Sequence, residues 1–329
     1  VTRRPVRSGG SETMPATRRW VIGRGLLGSA VADAGRDDVF SASIAWSDPR
    51  RALEDLEGAL EAFALDADAI APTWEIYWCA GKGVTSTSRE HLQDEVDVFA
   101  GFVDLLLRQD GLNLAHGRLF VASSVGGVYA GRTDPPFTES TPPAPLTPYG
   151  DAKLQMEQVV RAASEASPLR TLVGRITNLY GPGQDLSKGQ GLLSVIVSSY
   201  VTGRPTSVYV PLDTLRDYLY ADDCAAMVTT AMRRLGGEDP GTSRTKIFGS
   251  MTPASIGAVI GEASRIRRVR APIVAGQGDA SGQASDLRVR SEVWTDIDGL
   301  ARTTLAEGMS ALYRAQLRHA MVNGTPAAR

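Results

Sequence analysis

Apolar residues recur along this chain in two kinds of run, and their alternation predicts the architecture. Short, mostly apolar runs at 19–22, 39–46, 74–80, 118–122 and 169–176 read as buried strands. Between them, 26–34, 49–63, 90–109 and the stretch from Tyr149 onward carry helix-like patterns. Over 90–109 the apolar stripe is Val96, Phe99, Val103, Leu106 and Leu107, at helical spacing. Strands alternating with helices at this spacing predict an α/β fold, a doubly wound parallel sheet of the Rossmann kind.

Beyond Gly181 the elements shorten and glycine, proline and aspartate loops separate them. The pattern there predicts a helix over 192–201, a strand at 208–210 and an extended run at 215–221. Asp222 is placed to cap a helix reaching Arg233. A strand at 246–248 and a helix over 254–264 follow, then a small, polar stretch at 276–285 that reads as a mobile loop. The last helix is predicted over 304–318, with Thr304 and Glu307 forming a capping box.

Composition narrows the function classes. A formal net charge of −2 gives no electrostatic footprint for nucleic acid or an anionic membrane. No apolar stretch reaches the ~18 residues of a membrane span. The two cysteines, Cys79 and Cys224, point to a reduced, cytoplasmic protein without a disulfide framework. Residues 1–17 are charged and lack an apolar segment, so they read as a disordered tail, or as an upstream translation artefact with Met14 the true start. No residues are assigned to a metal.

Two motifs carry chemistry. Gly23-Arg24-Gly25-Leu26-Leu27-Gly28 follows a strand and opens a helix, the setting in which G-x-G-x-x-G binds a dinucleotide pyrophosphate on the helix N-terminus. Past the second strand, Asp48 stands where an acid would hold the ribose of NAD. Ser47, Arg50 and Arg51 flank it and keep NADP open, and Asp48-Pro49 would also serve simply as a helix start. The second motif is Tyr149-x-x-x-Lys153, entered through Pro142, Pro145 and Pro148. Residues i and i+4 share a helix face. A phenol is a poor base at neutral pH, and a fixed cation beside it favours the phenolate. Such a pair also occurs on solvated helices, but lysine is scarce here: Lys82, Lys153, Lys188 and Lys246 are the only four. Ser124, one of a serine pair at the end of the fourth strand, offers a hydroxyl to the same reacting oxygen. Such a pair also commonly serves only to satisfy backbone groups at a strand end.

Together with Arg175-Ile-Thr-Asn178-Leu-Tyr180-Gly181-Pro182-Gly183, Arg216-Asp217-Tyr218-Leu-Tyr220-Ala-Asp222-Asp223 and Thr303-Thr304-Leu305-Ala306-Glu307-Gly308, these motifs resemble the extended short-chain dehydrogenase/reductases. Within that group the resemblance is to the NAD-dependent epimerase/dehydratase family. It implies that Tyr149 is the acid/base, that Lys153 supports it and binds the nicotinamide ribose, and that Ser124 orients the substrate oxygen. Gly23, Gly25, Leu26, Leu27, Gly28, Asp48, Ala80 and Gly81 would join Tyr149 and Lys153 in holding NAD, with NADP not excluded. Asn178, Arg216 and Tyr218 would face the activated substrate, with Arg288 or Arg290 replacing a missing arginine segment. Arg216-Asp217 also reads as an internal ion pair.

The resemblance further implies an NAD(P)-binding Rossmann domain at 18–178 and 205–250, and a smaller C-terminal α+β substrate-binding part at 179–204 and 251–325. It implies a small-molecule substrate, a nucleotide sugar, and a homodimer built through 90–109 and the Tyr149 helix. The chain departs from the family elsewhere too. Val21 and Ile22 stand where the family's T-G-x-x-G-x-x-G motif carries Thr and Gly. Val125-Gly126 stand where sugar 4,6-dehydratases carry acids, which argues against water elimination. Gln190-Gly191-Leu192 replaces a common substrate-binding asparagine. The stretch from the second strand to Trp74 is too short for the usual third strand and its helix. These departures keep open a reductase of a ketone or aldehyde without a nucleotide, and a cofactor-sensing protein without turnover.

Overall fold

The computed structural model describes residues 17–35, 39–70, 73–185, 191–269, 272–276 and 284–322. Six parallel strands form the central sheet: β1 (Thr17–Ile22), β2 (Val39–Phe40), β3 (Thr73–Trp78), β4 (Gly117–Ser124), β5 (Arg170–Ile176) and β10 (Ser243–Phe248). Their order is β10-β5-β4-β3-β1-β2. Side-chain alternation divides each strand between two cores. Trp20, Ile22, Ile76, Trp78, Leu119 and Val121 face one layer, while Val21, Tyr77, Phe120 and Leu172 face the other. Both faces are apolar because helices cover both, as parallel sheets require.

The first layer is α2 (Pro49–Ile70), α3 (Arg89–Leu107) and α5 (Pro148–Ala166); the second is α1 (Leu26–Ala34) and α7 (Ala221–Leu235). Register also explains a buried carboxylate inside the sheet. Glu75 lies opposite Arg19 on β1 and Arg118 on β4, and its carboxylate meets both guanidiniums, at 2.9 and 3.3 Å.

Two expected elements changed. The strand read over 39–46 is only Val39–Phe40. It is the sheet edge, with no outer partner, and the chain beyond it is tied instead to α2, where Ala45 N donates to Asp55 Oδ2 at 2.8 Å. The chain then passes directly into a 22-residue α2 and on to β3, with no additional strand between. Asp222 does not cap α7: the N-cap is Tyr220, without a side-chain bond, and Asp222 and Asp223 lie in the first turn. There they favour the positive end of the helix dipole.

Three small two-stranded sheets extend from the β5 and β10 side of the molecule. They pair β6 (Asn178–Tyr180) with β9 (Tyr218–Tyr220), β7 (Thr206–Val208) with β12 (Ile273–Ala275), and β8 (Leu215–Arg216) with β11 (Ala254–Ser255). The strand expected at 208–210 thus lies slightly earlier, at β7. The helix expected from 254 begins at Ile256 as α8 (Ile256–Arg267), capped by Ser255 Oγ, because 254–255 are used as β11. With α6 (Leu192–Thr202) and α9 (Leu305–Val322), α8 encloses a separate core of Tyr180, Leu193, Ile196, Tyr200, Val259, Met309 and Leu312. The Thr304–Glu307 capping box is present, with Thr304 N and Oγ1 donating to Glu307 Oε2. Gln190, residues 277–283 of the expected mobile loop and residues 1–16 of the expected tail lie outside the described residues. Among the described residues no helix is long and apolar enough to cross a membrane.

Candidate active site

The glycine turn sits where β1 ends. Gly23 has φ +87°, and a Cβ there would lie 2.4 Å from Ala80 Cα at the end of β3. A Cβ on Gly28 would lie 1.8 Å from the Gly23 carbonyl oxygen. Both glycines are therefore demanded by the protein's own packing. Gly25 is different. It is the N-cap of α1, makes no side-chain cap bond, and a Cβ on it would meet nothing within 4 Å. Its bareness leaves the first amides of α1 open to a ligand, as phosphate recognition at a helix N-terminus needs. Leu26 and Leu27 belong to that first turn; Leu27 packs into the core, so only their backbone can serve a cofactor.

A cleft of about 440 Å³ runs outward from this turn. Gly23, Arg24 and Gly25 floor it, Trp46, Ser47 and Pro49 close one end, and Ala80, Gly81 and Lys82 line the other. Burial pushes the Cys79 thiol up to about 12, so it stays neutral in the wall. A glycine-floored cleft at the carboxyl ends of parallel strands fits a dinucleotide. Asp48 is not brought to its surface. Its Oδ1 accepts from the amides of Arg50 and Arg51, at 3.0 and 3.4 Å, because the first turn of α2 has donors without helical partners. Ser47 and Trp46 line the cleft in its place. Gly25→Ala should leave thermal stability unchanged and weaken dinucleotide binding by more than about tenfold, read by calorimetry. Unaltered affinity would show that no ligand approaches this turn.

Tyr149 and Lys153 occupy the first turns of α5, which starts at Pro148, where a missing amide hydrogen costs nothing. Lys153 is buried; its Nζ donates to Ala122 O at 3.3 Å and lies 5.7 Å from the Tyr149 ring centre. Among the described residues it joins no ion pair, so its charge is available to Tyr149 and to a ligand. Close contact of α5 with the short helix α4 (Val125–Tyr129) fixes the arrangement. A Cβ on Gly150 would lie 2.1 Å from Gly127 O, and one on Gly127 would lie 3.1 Å from the Tyr149 ring. Ser124 caps α4, its Oγ accepting from Gly127 N at 3.1 Å, which leaves the hydroxyl hydrogen for another acceptor.

The neighbouring Ser123 does different work. Its Oγ donates to Glu157 Oε1 at 2.7 Å inside a buried cluster. Glu157 also receives Arg175 through both carboxylate oxygens, at 3.0 and 2.7 Å, and Arg161 at 2.9 Å. Burial alone would lower the Arg175 pKa; the hydrogen bonds and charge of Glu157 outweigh it, and the net direction is upward. The cluster pins α5 to β4 and β5 one helical turn beyond Lys153.

On the substrate side, Asn178 and Tyr218 are cross-strand neighbours in the β6–β9 pair. Arg216 is buried and donates to Leu215 O at 2.9 Å and Ala284 O at 2.7 Å. Burial lowers its pKa, while Tyr218 and Asp286 pull it back up. Its suggested partner Asp217 turns elsewhere, accepting from Thr177 Oγ1, Ser250 N and Ser250 Oγ. The internal Arg216–Asp217 pair is therefore not formed, and among the described residues the desolvated guanidinium is hydrogen-bonded by carbonyls. Burial also lifts the Tyr218 phenol to about 12. Arg288 is half exposed and its guanidinium grips Asp286 at 2.8 Å, so it is already satisfied. Leu287 links the two halves: its amide donates to Leu215 O, and a Cβ on Gly126 would touch its side chain at 3.6 Å.

A family model described as the NAD dependent epimerase/dehydratase family matches residues 23–243. The chain belongs to that family. Among curated relatives, a dTDP-4-dehydro-6-deoxyglucose reductase of Escherichia coli is 29% identical over 122 residues, 37% of this chain and 38% of that protein. A dTDP-glucose 4,6-dehydratase of Neisseria gonorrhoeae is 36% identical over 93 residues, 28% of this chain and 26% of the relative. The chain thus matches well under half the length of either. Among solved structures, the UDP-glucose 4-epimerase of Thermotoga maritima with UDP-glucose superposes with a TM-score of 0.75 at 19% identity, over 92% of this chain and 99% of that one. MoeE5 in complex with UDP-glucuronic acid and NAD gives 0.73 at 19% identity, over 92% and 99%. At such identity these likenesses show the shared fold.

Within this family member, sequence reasoning missed two cleft residues. Trp46 stands edge-on to Trp78, ring centres 6.0 Å apart, and walls the far end of the cleft. Glu95 on α3 accepts from the amides of Lys82 and Gly83, at 2.6 and 2.8 Å, and shapes the loop after β3. An acid at a half-buried helix position was the available signal for Glu95, but its partners lie 13 and 12 residues earlier in the chain.

Proposed function

We propose that the protein moves a hydride reversibly at a carbinol carbon of a nucleotide-activated sugar, as an NAD-dependent epimerase or net dehydrogenase/reductase. The observation that carries this reading is the buried Lys153 with its unpaired charge beside Tyr149, next to a serine whose hydroxyl hydrogen is uncommitted. When bound in the cleft, the nicotinamide cofactor supplies a hydride acceptor and donor. Tyr149 Oη takes the proton of the substrate hydroxyl as the carbon is oxidised and returns it on reduction. Lys153 stabilises the phenolate and Ser124 Oγ donates to the developing carbonyl oxygen.

The substrate class rests on Arg216, with Asn178 and Tyr218 beside it. A buried guanidinium hydrogen-bonded by carbonyls suits a diphosphate, which it can bind in a bidentate fork. Resemblance to dehydratases does not extend to their chemistry in this reading. Val125 is buried in an apolar cluster with Val128, Phe137 and Leu287, so no acid flanks Ser124 to expel water. A homodimer through α3 and α5, which pack side by side on one sheet face, belongs to the same proposal.

A thermal-shift panel with NAD, NADP and UDP- or dTDP-sugars tests the reading. Stabilisation by a nucleotide sugar is expected in the wild type, and Arg216→Gln should weaken it at least about tenfold, the worth of hydrogen bonds to a charged group. The competing reading, a reductase of a ketone without a nucleotide, draws on Arg288 being bound to Asp286 and so lost to the substrate. Turnover of such a ketone with no response to any nucleotide sugar would select it.

A further inference from the structure

Glu95 does more than hold a loop. Its Oε1 accepts both the Lys82 and Gly83 amides, which leaves Oε2 uncommitted to either. A Cβ on Gly81 would lie 3.3 Å from that Oε2 and 3.8 Å from Lys153 Nζ. The carboxylate and the Lys153 ammonium thus lie beside one common point at the Gly81 Cα. Gly81 has φ +149°, and its missing side chain keeps that point open. Glu95 also lines the cleft, so a ligand group docked against Lys153 comes within the field of both charges.

We infer that Glu95 is a positioning residue that sets the local charge at the nicotinamide end of the cleft, offsetting Lys153 and favouring the oxidised, cationic form of the cofactor over the reduced, neutral one. The inference rests on the dinucleotide reading of the cleft and goes beyond it by naming the group that balances the two redox forms. Without a counter-charge, Lys153 would repel a cationic ring docked beside it. A unit charge at this separation in a partly solvated site changes an affinity by about three- to tenfold. The other charged or titratable groups facing Lys153 are few. Tyr149 lies on its own helix, the neutral Cys79 thiol follows β3, Arg24 belongs to the glycine turn and Lys82 to the loop, and His91 and Asp94 reach the cleft from α3. Only Glu95 shares the point beside Gly81 with Lys153.

Glu95→Gln separates this role from a structural one, because the amide oxygen can still accept from Lys82 and Gly83. Dissociation constants for NAD and NADH, measured by calorimetry or fluorescence without substrate, are the primary readout. The variant should bind NAD about three- to tenfold more weakly and NADH within about twofold of wild type. Glu95→Asp, which keeps the charge, should restore the NAD to NADH ratio. Equal weakening of both forms would reduce Glu95 to a loop clamp, and no change in either would overturn the inference while leaving the enzyme reading intact. A wild type that binds neither form would overturn both. If Glu95→Gln does not fold, the wild-type ratio decides: it should shrink as salt rises, and an unscreened ratio counts against the inference.

Discussion

Tyr149→Phe should lower kcat by about 10²- to 10⁴-fold while dinucleotide affinity and melting temperature stay near wild type. The size of the effect follows from the number of jobs assigned to one oxygen. Tyr149 Oη is the proposed proton acceptor and donor, and no other titratable hydroxyl stands with Lys153 at the start of α5. The ring itself is untouched by the change, so its contacts with Gly127 and with the Lys153 ammonium survive. Single-turnover kinetics with bound cofactor is the appropriate measurement, because it isolates the chemical step from product release. Unchanged single-turnover rates would remove Tyr149 from the mechanism and leave the cleft as a binding or sensing site.

The largest stability effect is expected at Glu157. Its carboxylate is fully buried and accepts from Ser123, Arg161 and, in a fork, Arg175. Glu157→Ala strands the Arg175 guanidinium, only 3% exposed, with the Tyr129 hydroxyl as its remaining partner. Breaking a buried pair from one side costs about 3–5 kcal/mol, because the remaining charge is neither hydrated nor paired. Urea unfolding should show that loss. Replacing both members, Glu157→Met with Arg175→Met, should recover part of it by removing the orphaned charge as well. A loss below about 1 kcal/mol in the single variant would mean that α5 is held by its apolar face alone. The cluster couples fold and site: it fixes the helix that carries Tyr149 and Lys153, so Glu157→Ala should also raise the spread of catalytic geometries and reduce turnover.

Much of this was legible in the sequence because the relevant physics is local. Strand alternation of Trp20, Val21 and Ile22 between two cores, and the helical stripe on α3, follow from fixed side-chain periods of two and 3.6. The glycine turn could be read because Gly23 needs a positive φ and Gly28 must pass the carbonyl of Gly23, both within one turn of chain. Tyr149 and Lys153 are four apart on one helix, so their proximity needs no tertiary information.

Where the reading departed from the structure, the decisive partner was distant or competing. Asp48 has the right offset for a ribose and also serves the helix start, its Oδ1 accepting from the first amides of α2. The second strand stops at Phe40, and the chain beyond it bonds instead to α2 through Asp55, ten residues on from Ala45. Arg216 is held by a carbonyl 68 residues away, and its neighbour Asp217 serves Ser250, 33 residues away.

The sequence by itself determined the sheet-and-helix alternation, the glycine turn and the Tyr149–Lys153 proximity, since each depends on spacing along one element. Tertiary structure alone decided what surrounds them: the Glu157–Arg175 anchor beneath α5, the desolvated Arg216, and Glu95 facing Lys153 across Gly81. Those features depend on charges from separate elements meeting where water is scarce. Burial and distance set their strength, and neither is written in the order of residues.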